Sequence, residues 1–327
     1  MTAPIRWGIL GCGNIARKFA TGLQALGDAE LVAVGSRTED KASSFAAEFG
    51  AARSHGSYEA LAADADVDAI YVATPHPMHR DNSILCLEAG KAVLCEKPFT
   101  INATEARAVV DVARQRGVFL MEAMWTRFLP VMVQVRRWLA EGAIGEPRMV
   151  TADFGFRSGV NPEGRLFNPA LGGGALLDVG IYPISFACMV FGPHPESITS
   201  AATLGETGVD EQAGVILSYA GGQMAVATTA IRVSTPHEAR ILGTDGRILL
   251  EPSFWKGERV TLQAGGKDET LELPLEGNGY NYEAAEVGRC LRAGELESPS
   301  MTLDETVAIM EVLDRIRGQW GLKYPME

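Results

Sequence analysis

The sequence predicts an α/β chain: a helix-flanked parallel sheet at the N-terminus, then an α+β domain with a largely antiparallel sheet. Three observations carry this. Short all-apolar runs alternate with helical patterns through the first third, as parallel strands joined by crossover helices require. After about Met124 the pattern changes to strand-like segments separated by Gly-rich turns. The 327 residues also exceed what one core ordinarily organises. Domains are expected over 1–124 and 125–327.

In order, the first-domain strands are expected at Ile5–Leu10, Leu31–Gly35, Ala69–Ala73, Ala92–Cys95 and Val118–Met121. Their apolar character suits a sheet covered on both faces. Helical spacing fills Ile15–Leu26, Lys41–Phe49, Arg80–Ala89 and Ala103–Arg116. A helix at Pro130–Glu141 opens the second domain. Strands follow at Arg148–Phe156, Ile198–Ala202, Ala213–Tyr219, Gln223–Arg232, Ala239–Leu242 and Arg247–Leu250. Ala220-Gly221-Gly222 and Thr244-Asp245-Gly246 read as hairpin turns. Helices return at Tyr280–Arg292 and Leu303–Arg317. A sheet face left uncovered by helices has to be buried somehow, and self-association is one way.

Composition excludes several classes. Net charge is −12 and the pI is near 5.0, so nucleic acid is not an expected partner. No apolar stretch is read as reaching the roughly 18 residues of a membrane span. Met1-Thr2-Ala3-Pro4 runs straight into the first strand, leaving no room for a signal peptide. Cys12, Cys86, Cys95, Cys188 and Cys290 are scattered and odd in number. Neither a disulfide framework nor a metal site is expected. A cytoplasmic protein follows.

The first strand ends in Gly11-Cys12-Gly13-Asn14-Ile15-Ala16, a Gly-x-Gly-x-x-Ala turn. Gly11 suits a tight turn, Gly13 lets a pyrophosphate approach the backbone, and Ala16 lets helix and strand pack closely. The helix opening at Asn14 and Ile15 would then present unpaired N–H groups to the phosphates. The expected ligand is a dinucleotide. About 20 residues on, an acid would mark a free ribose 2′-hydroxyl, but Ser36 and Arg37 stand there, with Lys41 beyond. A guanidinium matches a 2′-phosphate, which points to NADP; the alternative is a solvated surface arginine.

Ligands of open parallel sheets lie beyond the carboxyl ends of the strands. That rule singles out Thr74, Pro75 and His79 after the third expected strand, and Glu96-Lys97-Pro98 after the fourth. Glu122 to Arg127 follow the fifth. Lys97 draws most interest, ending a buried-type strand between an acid and a proline; a surface ion pair is the alternative. In Gly172-Gly173-Gly174-Ala175-Leu176-Leu177-Asp178-Val179-Gly180-Ile181-Tyr182, three glycines precede a helical pattern. Asp178 and Tyr182, four apart, fall on one helix face. A carboxylate and a phenol there suit vicinal hydroxyls or proton transfer; the alternative is an ordinary helix with a half-buried tyrosine.

The glycine turn, Glu96-Lys97-Pro98 and the Gly172–Tyr182 segment, in that order, resemble the Gfo/Idh/MocA oxidoreductase family over essentially the whole chain. Longer runs around them resemble its dimeric dihydrodiol dehydrogenase and NADP-dependent D-xylose dehydrogenase branch. The resemblance implies an N-terminal Rossmann domain, a C-terminal domain with a large open sheet, and a nicotinamide at their junction. It implies a catalytic Lys97, with Tyr182 where the wider family commonly has histidine. Asp178 is assigned to orienting substrate hydroxyls, a purely structural role being the alternative. His79, Trp125, Arg127 and Phe154 are implied to line the pocket. The expected reaction is hydride transfer from a secondary hydroxyl or hemiacetal of a small polyol, aldose or cyclic trans-diol to NADP. Tyr182 would take the proton, directly or through Lys97, whose charge would favour tyrosinate. A homodimer is expected. A cofactor-assisted glycoside hydrolase and a non-enzymatic cofactor sensor are the competing readings.

Overall fold

In the computed structural model residues 3–327 are described; Met1 and Thr2, part of the approach to the first strand, lie outside them. The chain forms two compact units. One comprises the residues up to Thr100 with Thr104–Phe128 and Leu275–Thr306; the other comprises Ile101–Ala103, Leu129–Pro274 and Val307–Glu327.

The first unit begins β1 (Ile5–Leu10), α1 (Asn14–Leu23), β2 (Ala29–Gly35), α2 (Glu39–Phe49), β3 (Arg53–His55), α3 (Tyr58–Ala62) and β4 (Ala69–Val72). It continues α4 (His79–Glu88), β5 (Ala92–Glu96), α5 (Ala103–Arg116) and β6 (Leu120–Ala123). All six strands are parallel, in the order β3-β2-β1-β4-β5-β6. β4, β5 and β6 are buried at every position, as helices on both faces demand. Phe19 of α1 lies flat on Tyr71 of β4, ring centroids 3.8 Å apart, and edge-on to Trp7 of β1 at 5.2 Å. Burying each such ring contributes on the order of 2 kcal/mol. The chain reverses direction across the sheet between β1 and β4, which opens a crevice beyond their carboxyl ends.

β3 and α3 have no counterpart in the sequence reading. β3 is Arg-Ser-His, too polar to register as a strand, and is held by Asp64. That carboxylate accepts from Arg53 Nε at 2.7 Å and pairs with His55 Nε2 at 2.9 Å.

The second unit holds α6 (Pro130–Ala140), β7 (Pro147–Gly155), α7 (Ile181–Phe191), β8 (Ser197–Leu204), β9 (Asp210–Ser218) and β10 (Met224–Ala230). After these come β11 (Ala239–Gly243), β12 (Gly246–Leu250), β13 (Arg259–Ala264) and β14 (Lys267–Glu272). The eight strands run β14-β13-β12-β11-β7-β10-β9-β8. Only β7 with β10 is parallel. Both expected hairpins form. The β13–β14 hairpin was not expected, because β14 reads Lys-Asp-Glu-Thr-Leu-Glu and lies exposed at the sheet edge.

Helix covers the inward side of β7 and β10, where Val150, Ala152, Phe154, Ala225, Ala227 and Thr229 are buried. This helical run, Pro169–Phe191, contains an 18-residue stretch with a mean hydropathy of 1.7, long and apolar enough by composition to cross a membrane. That corrects the expectation that no such stretch exists. The physical reason for its apolarity is core packing: 83% of that stretch is buried. On the opposite side Thr151, Val226, Ile216 and Thr199 stand in one cross-strand row, and Ile216 is 38% exposed.

Two helices close the chain, α8 (Tyr280–Ala293) and α9 (Leu303–Gln319). α8 rejoins the first unit, so a single break after Met124 does not divide the molecule. It passes α1 so closely that a Cβ on Gly22 would lie 3.0 Å from the Asn281 nitrogen.

Candidate active site

In the first unit the glycine turn has the form its ligand needs. Gly11 has φ +101°, and a Cβ there would sit 3.0 Å from the Ala73 carbonyl oxygen. A Cβ on Gly13 would meet nothing within 4 Å, so the space beside it is open. α1 starts at Asn14 with no side-chain cap and no acid in its first turn. The N–H groups at Asn14 and Ile15, and the positive end of the helix, are left for an anion. A dinucleotide pyrophosphate fits this cradle. Ser36 is buried at the end of β2, its N–H donating to His55 O at 3.1 Å. Arg37 and Lys41 are exposed. Arg37 lies near the Tyr58 phenol, which burial pushes up and the guanidinium draws down.

Past β4, Thr74 is buried and accepts from Asn82 Nδ2 at 3.0 Å, while Pro75 is exposed. His79, expected to line the pocket, has another task. It is 0% exposed, with Nε2 2.8 Å from Thr74 O and Nδ1 2.9 Å from Pro98 O. Burial holds its imidazolium below the ordinary value, against the pull of those carbonyls. The ring braces the loop after β4 against the loop after β5.

Lys97, just beyond β5, is half-buried, and its peptide bond to Pro98 is cis. Its N–H donates to Glu96 Oε2 at 3.1 Å. Glu96 is buried and also accepts the Tyr71 hydroxyl. Glu283 of α8 brings a second fully buried carboxyl near it; burial and the Glu96 charge push Glu283 well above the carboxylate range. Trp125 is 5% exposed and stacks on Tyr280 of α8, 4.6 Å between centroids. Arg127 is 4% exposed, its Nη2 donating to Glu305 Oε1 at 2.6 Å and Nη1 to Ser300 O at 3.4 Å. Where pocket lining was expected, these two side chains hold the unit's interior.

In the second unit, Asp178 and Tyr182 share a helix, but its start differs from the expected α-helix. Leu176–Gly180 form a π-helical turn that leads into α7. The wider turn still brings residues four apart to nearly the same face, and such turns recur at functional sites. Asp178 and Tyr182 are 6% and 7% exposed. Phe154 lies 5.4 Å from Tyr182 and is stacked face to face on Trp255, 3.4 Å between centroids. His237 stands edge-on to both rings, 5.3 and 4.8 Å away. Trp255 and His237 escaped the sequence reading; the only signal was the aromatic pair Phe254-Trp255 after Pro252-Ser253. Arg165 escaped it too, and donates to Asp178 Oδ1 at 2.6 Å.

The first unit therefore offers an anion cradle and a lysine anchored through its amide to a buried acid. The second offers a carboxylate and a phenol beside an aromatic wall. Residues 5–124 match the pattern of the oxidoreductase family with an NAD-binding Rossmann fold, and residues 132–249 match the GFO/IDH/MocA C-terminal domain. The chain belongs to the Gfo/Idh/MocA oxidoreductase family.

Among related Gfo/Idh/MocA proteins, trans-1,2-dihydrobenzene-1,2-diol dehydrogenase of Mus musculus is 41% identical over 334 residues, covering 99% of each chain. The enzyme of that name from Homo sapiens is 40% identical over 337 residues, again covering 99% of each. Two solved structures share the architecture. The aldose-aldose oxidoreductase from Caulobacter crescentus, complexed with glycerol, has a TM-score of 0.89 at 25% identity, covering 97% of this chain and 98% of that one. A 3-ketoreductase from Actinomadura kijaniata, complexed with NADP and TDP-benzene, has a TM-score of 0.83 at 30% identity, covering 96% and 97%. As a Gfo/Idh/MocA protein this chain is an oxidoreductase with a nicotinamide cofactor, and the open space at Gly13 and the uncapped start of α1 fit its pyrophosphate.

Proposed function

We propose that this chain is an NADP-dependent dehydrogenase that oxidises a secondary hydroxyl of a small cyclic trans-diol, or the hemiacetal of an aldose such as D-xylose. One observation carries the substrate class. Asp178 and Tyr182 project from one helix next to the Phe154–Trp255 stack. Polar groups that handle adjacent hydroxyls thus adjoin a flat apolar wall that suits a six-membered ring.

When bound, the nicotinamide supplies the hydride acceptor at C4. The turn from Gly11 to Gly13 and the start of α1 hold the pyrophosphate. Arg37, with Lys41, takes the 2′-phosphate in place of the acid an NAD site carries. Asp178 orients the substrate hydroxyls. As the carbon loses its hydrogen with both bonding electrons, the hydroxyl oxygen loses its proton to Tyr182, which leaves a carbonyl. We assign proton handling to Tyr182 and Lys97, with Glu96 fixing the Lys97 backbone.

The reading includes a homodimer through the outward face of the eight-stranded sheet, supported by the Thr151–Val226–Ile216–Thr199 row. It includes a cytoplasmic location, supported by five cysteines that are all free thiols. The deciding experiment follows NADPH formation across trans-dihydrodiols, aldoses and polyols. Stoichiometric NADPH with a trans-diol or an aldose is expected. Sugar release without net NADPH would mark the hydrolase, and cofactor binding without turnover would mark the sensor.

A further inference from the structure

We propose that Asp210 is a positioning residue for the reaction, capping the helix that carries Asp178 and Tyr182 and holding its first turn in place. The inference rests on the assignment of those two residues to the reaction.

Asp210 heads β9 and is 0% exposed. Its Oδ2 accepts from Leu176 N at 2.6 Å. Leu176 opens the π-helical turn, and N–H groups at the start of a helix lack intrahelical partners. No residue of the helix's own sequence caps it there. The carboxylate arrives instead from a strand 34 positions on, doing what a local Ser or Asp does at ordinary helix starts.

The glycines before the helix are shaped around this carboxylate. Gly174 has φ +116°, and a Cβ there would lie 2.1 Å from Asp210 Oδ1. That oxygen is buried with no donor among the described residues. Tyr324, itself buried and facing Asp210, donates its hydroxyl to Gly173 O at 2.9 Å. Tyr324 is held in turn, its N–H donating to Glu327 Oε2 at 2.8 Å while Glu327 pairs with Arg317. The turn at Gly173 and Gly174 is thus gripped from β9 and from the C-terminal segment. Burial pushes the Asp210 carboxyl up to about 7, and the Leu176 amide opposes that shift. Asp178 begins two residues beyond the capped amide, so a shift of this turn moves both reacting-site side chains. Misplacement by about 1 Å costs roughly a hundredfold in rate.

The test uses the full chain and reads amide exchange over residues 172–185, kcat, and the KM for NADP and for the diol. Asp210→Ala should speed exchange in that segment about tenfold and lower kcat about 10- to 100-fold, leaving the KM for NADP unchanged. Asp210→Asn keeps an acceptor oxygen for the Leu176 N–H and should restore kcat to within about threefold of the parent. Should Asp210→Ala fail to fold, Asp210→Asn together with Tyr324→Phe, which removes the hydroxyl on Gly173, carries the same comparison. Unchanged exchange in Asp210→Ala overturns the proposal, as does Asp210→Asn being as damaging as Asp210→Ala. Faster exchange with unchanged kcat overturns the catalytic part. A parent chain that forms no NADPH from any substrate overturns the proposed function instead, and the exchange comparison then still decides the cap.

Discussion

Arg165 Nη1 lies 2.6 Å from Asp178 Oδ1, so the carboxylate assigned to substrate hydroxyls already holds a guanidinium. The Arg165 side chain is 49% exposed and the Asp178 side chain only 8%. An ion pair with one partner half in water contributes little to stability, about 1 kcal/mol or less. Its value lies in fixing where the carboxylate points.

Replacing Arg165 by Ala should therefore act on substrate binding. We expect the KM for the best diol to rise roughly three- to tenfold, with kcat within about threefold and little change in melting temperature. Steady-state kinetics decide it. An unchanged KM would reduce the pair to a tie between the loop holding Arg165 and the helix.

Removing Lys97 or Tyr182 should lower kcat by about 10²–10⁴-fold, the usual range for general acid–base catalysis. Tyr182→Phe should still bind NADPH, because the glycine turn and Arg37 are untouched; fluorescence titration checks this. Full activity in Tyr182→Phe would leave the phenol a packing group beside Phe154.

In the proposed reading, cofactor choice turns on Arg37. It is exposed at the end of β2, and no acid follows Gly35 until Glu39 in the first turn of α2. The parent should prefer NADP, and Arg37→Asp should move the ratio of kcat/KM toward NAD by about tenfold or more. Equal kcat/KM for the two cofactors in the parent would remove the basis for this assignment.

Glu122 of β6 should make stability depend on pH. Burial pushes its carboxyl up to about 7, although Arg127 pulls it down and Glu305 adds to the rise. The folded value lies above that of the unfolded chain. Its contribution is therefore full below about pH 4 and is lost as the pH rises through about 7. Glu122→Gln should flatten the fall in melting temperature between about pH 4 and pH 7. Parallel melting curves for parent and variant across that range would show that another group carries the dependence.

Assembly is tested at the outward sheet face. Light scattering at micromolar concentration should give a dimer, and Ile216→Lys should convert it to monomer by placing a charge in the row with Val226 and Thr199. A monomeric parent would count decisively against this interface.

Elements with continuous apolar or helical periodicity were legible: β1 and α5 have the bounds that the pattern predicts. β3 and β14 were not, because polar edge strands owe their pairing to a neighbouring strand rather than to their own composition. The placement of α8 was equally illegible, since an amphipathic helix does not say which face of which unit it will cover.

The sequence by itself determined the glycine turn and the helix start after it. Gly11, Gly13 and the start of α1 act within a few residues of one another, so local backbone geometry is enough to specify them. It also placed Lys97 at a strand end and Asp178 and Tyr182 on one helix. Tertiary structure alone decided the tasks of side chains whose partners are remote. Arg127 turns inward to Glu305, 178 positions on. His79 is spent on Thr74 and Pro98, Trp255 joins Phe154, and Asp210 caps a helix it does not precede. Burial is the reason in each case: a polar group taken out of water must find its partner wherever the fold brings one, and no local pattern records that distance.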